Sequence, residues 1–180
     1  MTREQAAALL AQADLVFTEE QVRLAVQRLA REITASLAQE FPLVLAIMGG
    51  AAVFTGQLLP QLAFPLEFGA IEVTRYGRTT TGGQIDWRLA PREEVRGRTV
   101  LVIDDILDEG ITLSAVRARL VEMGARRVLC AVLADKDLGR AKPIRADFTG
   151  LTVPDRYVFG FGMDAHGLWR NLPAIYALKD

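Results

Sequence analysis

The stretch VLVIDDILDEGIT, residues 100–112, joins a run of aliphatic residues to a cluster of acids. Residues 100–103 predict a buried strand, because continuous aliphatic runs are typical of strands covered on both faces. Asp104 and Asp105 follow at its carboxyl end, and Asp108 comes three residues later. Carboxyl ends of strands face the ligand crevice in α/β sheets, and three carboxylates there repel each other unless a cation or hydroxyl groups lie among them. The stretch therefore predicts a site for Mg2+ or for the hydroxyls of a sugar.

The residues after these acids are suited to hold a phosphate. Gly110 permits a tight turn and Thr112 lies at the start of a predicted helix, so backbone N–H groups, a hydroxyl and the helix dipole can converge on an anion. Together the two halves favour a phosphorylated sugar as ligand. A solvated turn with a helix cap is the alternative, since Asp-rich turns are common. A receiver domain carries its acidic pair near the N-terminus, and a P-loop needs a lysine that this stretch lacks.

Strand-like and helix-like segments alternate along the rest of the chain. Thr18 and Gln21 have the form of a capping box, and the apolar spacing after them predicts a helix over 19–40. Further helices are predicted after Gly50 and over 112–125, and a Gly/Thr-rich loop over 77–87. Strands are predicted over 43–48, from 66, and over 98–106, 126–136 and 157–164. This order predicts an α/β fold with a central, mainly parallel sheet flanked by helices, in a single domain over residues 1–180.

Composition limits the possible partners. A formal net charge of -1 gives no electrostatic reason to expect nucleic acid or a membrane as partner, and no apolar stretch is long enough for a membrane helix. Cys130 is the single cysteine, which excludes an intrachain disulfide and suits a reducing compartment. Its apolar neighbours place it in the predicted core. We therefore expect a cytoplasmic protein.

Two segments carry a resemblance to a known family. VLVIDDILDEGIT resembles the phosphoribosyl pyrophosphate (PRPP) binding motif of type I phosphoribosyltransferases. DKDLGRAKPIRADFTGLTVPDRYVFGFGMD, residues 135–164, is similar in order and spacing to the purine-binding half of hypoxanthine-guanine phosphoribosyltransferases. The resemblance covers about residues 40–175. It implies a core over about 40–135, a small hood formed by about 136–180 with part of the N-terminus, and a flexible loop after Tyr76 that closes over the reacting groups.

The activity implied by this resemblance is purine salvage: transfer of the 5-phosphoribosyl group from PRPP to hypoxanthine or guanine, with Mg2+ as cofactor. Asp104 and Asp105 would contact the ribose hydroxyls directly or through Mg2+, and Asp108 would face N7 of the purine as general acid/base. The 5'-phosphate would be held by the phosphate loop, residues 108–112, through backbone amides and the Thr112 hydroxyl. Its members are Asp108, Glu109, Gly110, Ile111 and Thr112.

The remaining roles implied by the resemblance concern the base and the pyrophosphate. Lys136 would donate to the 6-oxo group of the purine, Tyr157 would stack on the base, and the Val158 backbone would read its far edge. Asp164 would hold a second Mg2+ near the pyrophosphate, beside the basic Arg170. The pyrophosphate would also be bound by the loop Met48, Gly49 and Gly50, often through a non-proline cis peptide. A 6-amino group would place a donor against the Lys136 donor, so adenine should be rejected.

Two positions depart from the family pattern. Met48 stands where lysine is frequent, and Glu109 stands where serine or threonine is usual, so we expect the Glu109 side chain to point to solvent. Two alternatives stay open at this level: an enzyme that prefers xanthine, and a regulator of the same fold that binds RNA. The balance of 21 basic against 22 acidic residues gives RNA binding no support. The family implies a homodimer or homotetramer.

Overall fold

The computed structural model describes residues 1–75, 85–91 and 93–179. Its helices and strands follow one another in this order: α1 (Arg3–Gln12), β1 (Asp14–Phe17), α2 (Glu19–Leu37), β2 (Leu43–Met48), α3 (Ala51–Leu58), β3 (Glu67–Arg75), β4 (Ile85–Leu89), β5 (Thr99–Leu107), α4 (Ile111–Glu122), β6 (Arg127–Lys136), β7 (Phe148–Val153), β8 (Val158–Phe159) and β9 (Ile175–Ala177). Residues 77–84 of the predicted loop lie outside the described residues, whereas 85–87, which were also predicted as loop, form part of β4 and pair with β3. Within the described ranges, no helix combines the length and apolar character needed to cross a bilayer.

Helix α2 begins at the predicted capping box. The Thr18 hydroxyl accepts from the Gln21 amide, and the Gln21 side chain accepts from the Thr18 amide. Its buried face includes the five apolar positions found by periodicity: Val22, Val26, Leu29, Ile33 and Leu37. The helix ends at Leu37, three residues before the predicted end at 40, where a turn leads to Phe41 in a left-handed conformation (φ 45°).

Six strands form the main sheet in the order β4-β3-β2-β5-β6-β7. Every neighbouring pair is parallel except β3 and β4. Side chains alternate across β5: Leu101 and Ile103 pack in the cluster that contains α2 and α3, whereas Val100 and Val102 pack in the cluster that contains α4. Helices therefore cover both faces, which confirms the predicted α/β fold. The sheet places the carboxyl ends of β2, β5 and β6 side by side.

The C-terminal part of the chain differs from the prediction. Only Val158–Phe159 of the segment 157–164 forms a strand, and it joins a separate three-stranded sheet of order β1-β9-β8. Positive φ angles at Gly160, Phe161 and Gly162 turn the chain away from an extended path. The sixth strand of the main sheet is β7 instead, which was not predicted. The small sheet combines an N-terminal strand with two C-terminal ones.

Candidate active site

The acidic pair lies at the carboxyl end of β5. The Asp105 amide donates to Asp104 Oδ1 at 3.0 Å, and the Ile106 amide donates to Asp105 Oδ1 at 2.8 Å. Burial, followed by the charge of Asp105, raises the pKa of Asp104 well above its usual range. Burial also raises the pKa of Asp105, although its hydrogen bonds and the Arg170 guanidinium oppose the rise. A cation bound beside this pair would relieve both effects.

The phosphate loop connects β5 to α4. Gly110 adopts a left-handed conformation (φ 81°) directly before the first residue of α4. A Cβ there would lie 3.2 Å from Ile144 Cγ2 and 3.4 Å from Leu107 Cδ1, so glycine also suits the close contacts of this turn. Gly110 occupies the N-cap position and has no side chain that could cap the first turn of the helix. Its amino end therefore presents backbone N–H groups toward an anion.

The loop between β2 and α3 lies against the acidic pair. Met48 and Gly49 are joined by a cis peptide bond, as the resemblance implied. A Cβ on Gly50 would lie 1.8 Å from Asp105 Oδ2, so only glycine allows this approach. The chain after β8 reaches the same point, because a Cβ on Gly162 (φ 105°) would lie 2.1 Å from the Gly50 carbonyl oxygen. Two glycines therefore bring three segments together.

Arg170 orients the Asp164 carboxylate at the edge of the place where these three segments meet. Its guanidinium donates to Asp164 Oδ1 and to the Gly162 carbonyl oxygen, each at 2.6 Å. Asp164 Oδ2 accepts from the Gly167 amide at 2.7 Å. The Asp164 side chain is thus oriented by two donors before any ligand is present.

One of the predicted base-binding residues, Lys136, contacts the phosphate loop at Asp108. Lys136 Nζ lies 3.1 Å from Asp108 Oδ1, and its side chain is only 12% exposed. Tyr157 is exposed, with its ring nearly parallel to that of His166 at a centroid distance of 5.9 Å. The Val158 side chain is buried. The Lys136 ammonium, a donor, and the Asp108 carboxylate, an acceptor, therefore lie next to each other in the cavity that the Tyr157 ring also lines.

Two adjoining cavities contain most of the predicted site residues. The first, of about 230 Å³, is lined by the loop after β2, the acidic pair and the phosphate loop: Met48, Gly50, Asp104, Asp105, Asp108, Gly110 and Thr112. The second, of about 250 Å³, is lined by the base-binding residues Lys136, Tyr157, Val158 and Asp164 with Asp105 and Asp108. Gly49, Glu109, Ile111 and Arg170 line neither cavity. The two cavities meet at Asp105, Ile106 and Asp108.

Comparison with known proteins identifies the family. The model of the phosphoribosyl transferase domain family matches residues 13–166. The chain belongs to the phosphoribosyl transferase family. This phosphoribosyl transferase is 34% identical over 166 residues to the hypoxanthine-guanine phosphoribosyltransferase of Bacillus subtilis, with 92% of each chain covered. It is 30% identical to the hypoxanthine-guanine-xanthine phosphoribosyltransferase of Tritrichomonas foetus, covering 92% of this chain and 91% of that one.

A solved structure supports the same assignment. The hypoxanthine phosphoribosyltransferase of Staphylococcus aureus superposes on this phosphoribosyl transferase with a TM-score of 0.84, at 27% identity, covering 96% of this chain and 95% of that one. The likeness extends over nearly the whole chain, so the predicted fold is that of the family.

The donor set of this phosphoribosyl transferase fits a magnesium ion that is completed by substrate. Among residues 1–75, 85–91 and 93–179, no group of three or more His, Cys, Asp or Glu side chains could hold a metal ion. Mg2+ commonly takes one or two carboxylates and completes its shell with substrate phosphates and water. Asp104 and Asp105 provide such a pair, and this coordination of Mg2+ needs no third carboxylate. Burial raises the pKa values of both residues. Asp164 lines the second cavity together with Asp105 and is in contact with Arg170.

Two cations near this site, Arg140 and Lys142, gave no signal in the sequence. Arg140 Nη2 lies 3.7 Å from Glu109 Oε1, and the Glu109 side chain is 45% exposed. Lys142, almost fully buried, donates to Asp135 Oδ1 at 2.5 Å and to the Leu107 carbonyl oxygen at 2.7 Å. Both cations belong to the segment between β6 and β7, which has neither helical nor strand periodicity. Only the folded path of that segment brings them to the phosphate loop.

Proposed function

We propose that this chain is a purine-salvage phosphoribosyltransferase that transfers the 5-phosphoribosyl group of PRPP to hypoxanthine or guanine. The products would be IMP or GMP and pyrophosphate. The relatives with these printed names align over nearly the whole chain, including both cavities.

One observation carries the proposal: the phosphate loop and the base-binding cavity meet at Asp108. Asp108 lines both cavities, and the Lys136 ammonium lies 3.1 Å from its carboxylate. A 6-oxopurine presents O6 and N7 next to each other on one edge. Lys136 would donate to O6 while Asp108 accepts the N7 proton. The spacing of the two side chains supports a base of this class.

The same pair explains the expected rejection of adenine. A 6-amino group would place its own N–H donors against the Lys136 ammonium, which has no acceptor to offer. Lys136 is 12% exposed, so water could compensate only in part. Leaving buried polar groups unpaired costs about 1 to 3 kcal/mol each. Discrimination of tenfold or more follows.

The first cavity would hold PRPP. The phosphate loop offers amides to the 5'-phosphate, Asp104 and Asp105 face the ribose, and Arg170 supplies positive charge near the departing pyrophosphate. Bound Mg2+ would neutralise charge on the pyrophosphate and orient it. The carboxylates would stabilise positive charge that develops at the anomeric carbon, because aligned groups of opposite charge act most strongly in the transition state.

Oligomeric state and location stay predictions. We propose a homodimer or homotetramer because the family implies it, and a cytoplasmic location because the single cysteine suits a reducing compartment. Neither property enters the chemistry above. Light scattering of the purified chain would measure the first.

The function is tested by supplying PRPP and Mg2+ with hypoxanthine, guanine, xanthine and adenine in separate reactions. We expect nucleotide and pyrophosphate to form with hypoxanthine or guanine, and turnover with adenine to be at least tenfold lower in kcat/KM. Omission of Mg2+ in the presence of a chelator should abolish turnover.

Each other outcome has a definite meaning. Turnover mainly with xanthine would favour the xanthine-preferring enzyme, and turnover mainly with adenine would refute the role of Lys136. Absence of turnover with all four bases would refute the proposal that the chain is a purine phosphoribosyltransferase. A gel-shift measurement with RNA would then test the regulator, for which the net charge of -1 offers no support.

A further inference from the structure

Lys142 connects two strand ends behind the candidate active site. It lies between β6 and β7, and its side chain is 9% exposed. Its ammonium donates to the Leu107 carbonyl oxygen at 2.7 Å and to Asp135 Oδ1 at 2.5 Å. A buried ammonium is costly unless it is hydrogen-bonded and paired, and these acceptors satisfy that requirement. The side chain is therefore held in one orientation.

The two acceptors mark the last pair of the β5–β6 ladder. Leu107 and Asp135 are register partners, and the next residues are Asp108 and Lys136. These two side chains approach within 3.1 Å of each other. Lys142 thus joins the strands one residue before the groups that face the base. A change in the separation of the strand ends would change the spacing of that pair directly.

The residues after Lys142 lie against Gly110, which follows Asp108 in the chain. A Cβ on Gly110 would lie 3.2 Å from Ile144 Cγ2 and 3.4 Å from Pro143 Cδ. The same short segment therefore contacts Leu107 before Asp108 and Gly110 after it. Asp108 itself belongs to no strand or helix. Its backbone position depends on these flanking contacts.

We propose that Lys142 is a positioning residue for phosphoribosyl transfer, which sets the spacing of Asp108 and Lys136 by joining the ends of β5 and β6. The inference rests on the proposed function for its kinetic consequence. Lys142 lines neither cavity of the site. It lines a third cavity of about 340 Å³ together with Leu107, Asp135 and Lys136, so it acts on the reaction through these neighbours.

A kinetic comparison tests the role. Lys142→Met keeps most of the side-chain volume and removes the ammonium. We expect kcat/KM for hypoxanthine or guanine to fall about tenfold, by analogy with the partners that orient metal ligands, whose loss typically costs 10- to 100-fold in activity. The loss should appear in kcat and in the KM for the base, while the KM for PRPP changes less than twofold. A lysine that only stabilised the fold would lower the active fraction and leave the KM for the base unchanged.

Two further variants separate positioning from stability. Arg145→Met removes an exposed cation from the same segment and the same cavity, and it should leave kinetics unchanged. Lys142→Met combined with Asp135→Asn removes the carboxylate that the single variant leaves without its cation, so thermal stability should recover. The KM for the base should not recover, since the contact with the Leu107 carbonyl is still missing. Equal kinetic effects of Arg145→Met and Lys142→Met would overturn the proposal.

A measurement independent of turnover completes the test. Hydrogen exchange followed by mass spectrometry should show faster exchange in Lys142→Met, confined to residues 107–112 and 135–137. Unchanged exchange in both segments would overturn the proposal whatever the kinetics. If the wild-type chain transfers to none of the four bases, the proposed function fails, while the exchange experiment still decides whether Lys142 holds the strand ends.

Discussion

Asp104 and Asp105 show that individual residues of a site can lower the stability of the folded protein. Both carboxyl groups have pKa values raised by burial, and the charge of Asp105 raises the pKa of Asp104 further. A buried apolar or neutral residue would be cheaper for folding at neutral pH. Carboxylates at this strand end are understandable only if a ligand supplies the missing positive charge.

Replacement of the more strongly perturbed acid should stabilise the ligand-free protein. We expect Asp104→Asn to raise the free energy of unfolding at pH 7 by about 0.5 to 2 kcal/mol, the usual range for removal of one unfavourable site feature. The same change should weaken Mg2+-dependent PRPP binding. Denaturant unfolding and calorimetric titration measure the two effects.

A surface acid provides the control. Asp155 is exposed, so Asp155→Asn should change stability by no more than about 0.5 kcal/mol. If Asp104→Asn were less stable than the wild type without ligand, the interpretation of the acidic pair as a strained ligand site would be wrong.

Asp108 has a different predicted role from the pair before it. Asp108→Asn removes a proton acceptor and leaves the amides of the phosphate loop in place. We expect kcat to fall about 10²- to 10⁴-fold, the usual contribution of a general acid/base. The KM for PRPP should change only a fewfold. Steady-state kinetics at saturating base measure both, and a normal kcat would contradict the assigned role.

At the scale of elements, sequence predicted most of the main sheet because local signals and tertiary structure agree there. The aliphatic run of β5 is buried on both faces, and the capping box of α2 forms as expected. β7 was missed because FTGLTV has mixed polarity and only Gly150 and Val153 are buried. Its place is set by pairing with β6, which no local pattern encodes.

The candidate site was predictable to a similar degree. The acids and the phosphate loop lie within one motif, so short-range spacing predicts them. The role of Lys136, at a strand end, was predicted from the resemblance. Contacts of the segment between β6 and β7 were not predictable, because Arg140 and Lys142 reach residues 31 and 35 positions earlier in the chain. Their partners depend on the path of a segment without periodic structure. Glu109 is 45% exposed, in agreement with the expected orientation toward solvent, and it also has a nearby cation that was not predicted.

The contact between the phosphate loop and this segment gives a prediction at the same scale. Glu109 places a negative charge in the loop, and Arg140 lies 3.7 Å from its carboxylate. Arg140→Met should raise the KM for PRPP by roughly 1.5- to 5-fold, since exposed ion pairs contribute about 0.2 to 1 kcal/mol. The phosphate would then meet a carboxylate that this guanidinium no longer neutralises.

A double variant isolates the cause. Adding Glu109→Ser to Arg140→Met should return the KM for PRPP to the wild-type value, because the repelling charge is also gone. The difference between the single variant and the wild type should shrink at high salt. A KM that stays raised in the double variant would show that Arg140 contacts the phosphate itself.

For the whole molecule, the sheet separates two apolar clusters that both extend to the site. Cys130 lies fully buried in the cluster on the α4 side, and its amide donates to Asp147 Oδ2 at 2.8 Å. Burial raises the pKa of the Cys130 thiol to about 12. Because a reactive thiolate is nearly absent in the folded state, this cysteine can report opening of the central sheet.

We expect Cys130 of the native protein at pH 8 to react with a small thiol reagent only at the rate at which the central sheet opens, and to react at once in denaturant.

The folded protein keeps the thiol proton of Cys130 between about pH 9 and 12, whereas the unfolded chain loses it, so the free energy of unfolding should decrease as pH rises through this window. Cys130→Ala lacks this contribution. Its unfolding free energy should therefore fall less steeply with pH above 9 than that of the wild type, since all other titrating groups are shared. Identical pH slopes in the two proteins, or rapid labelling of the native state, would contradict the burial of Cys130 at the centre of the sheet.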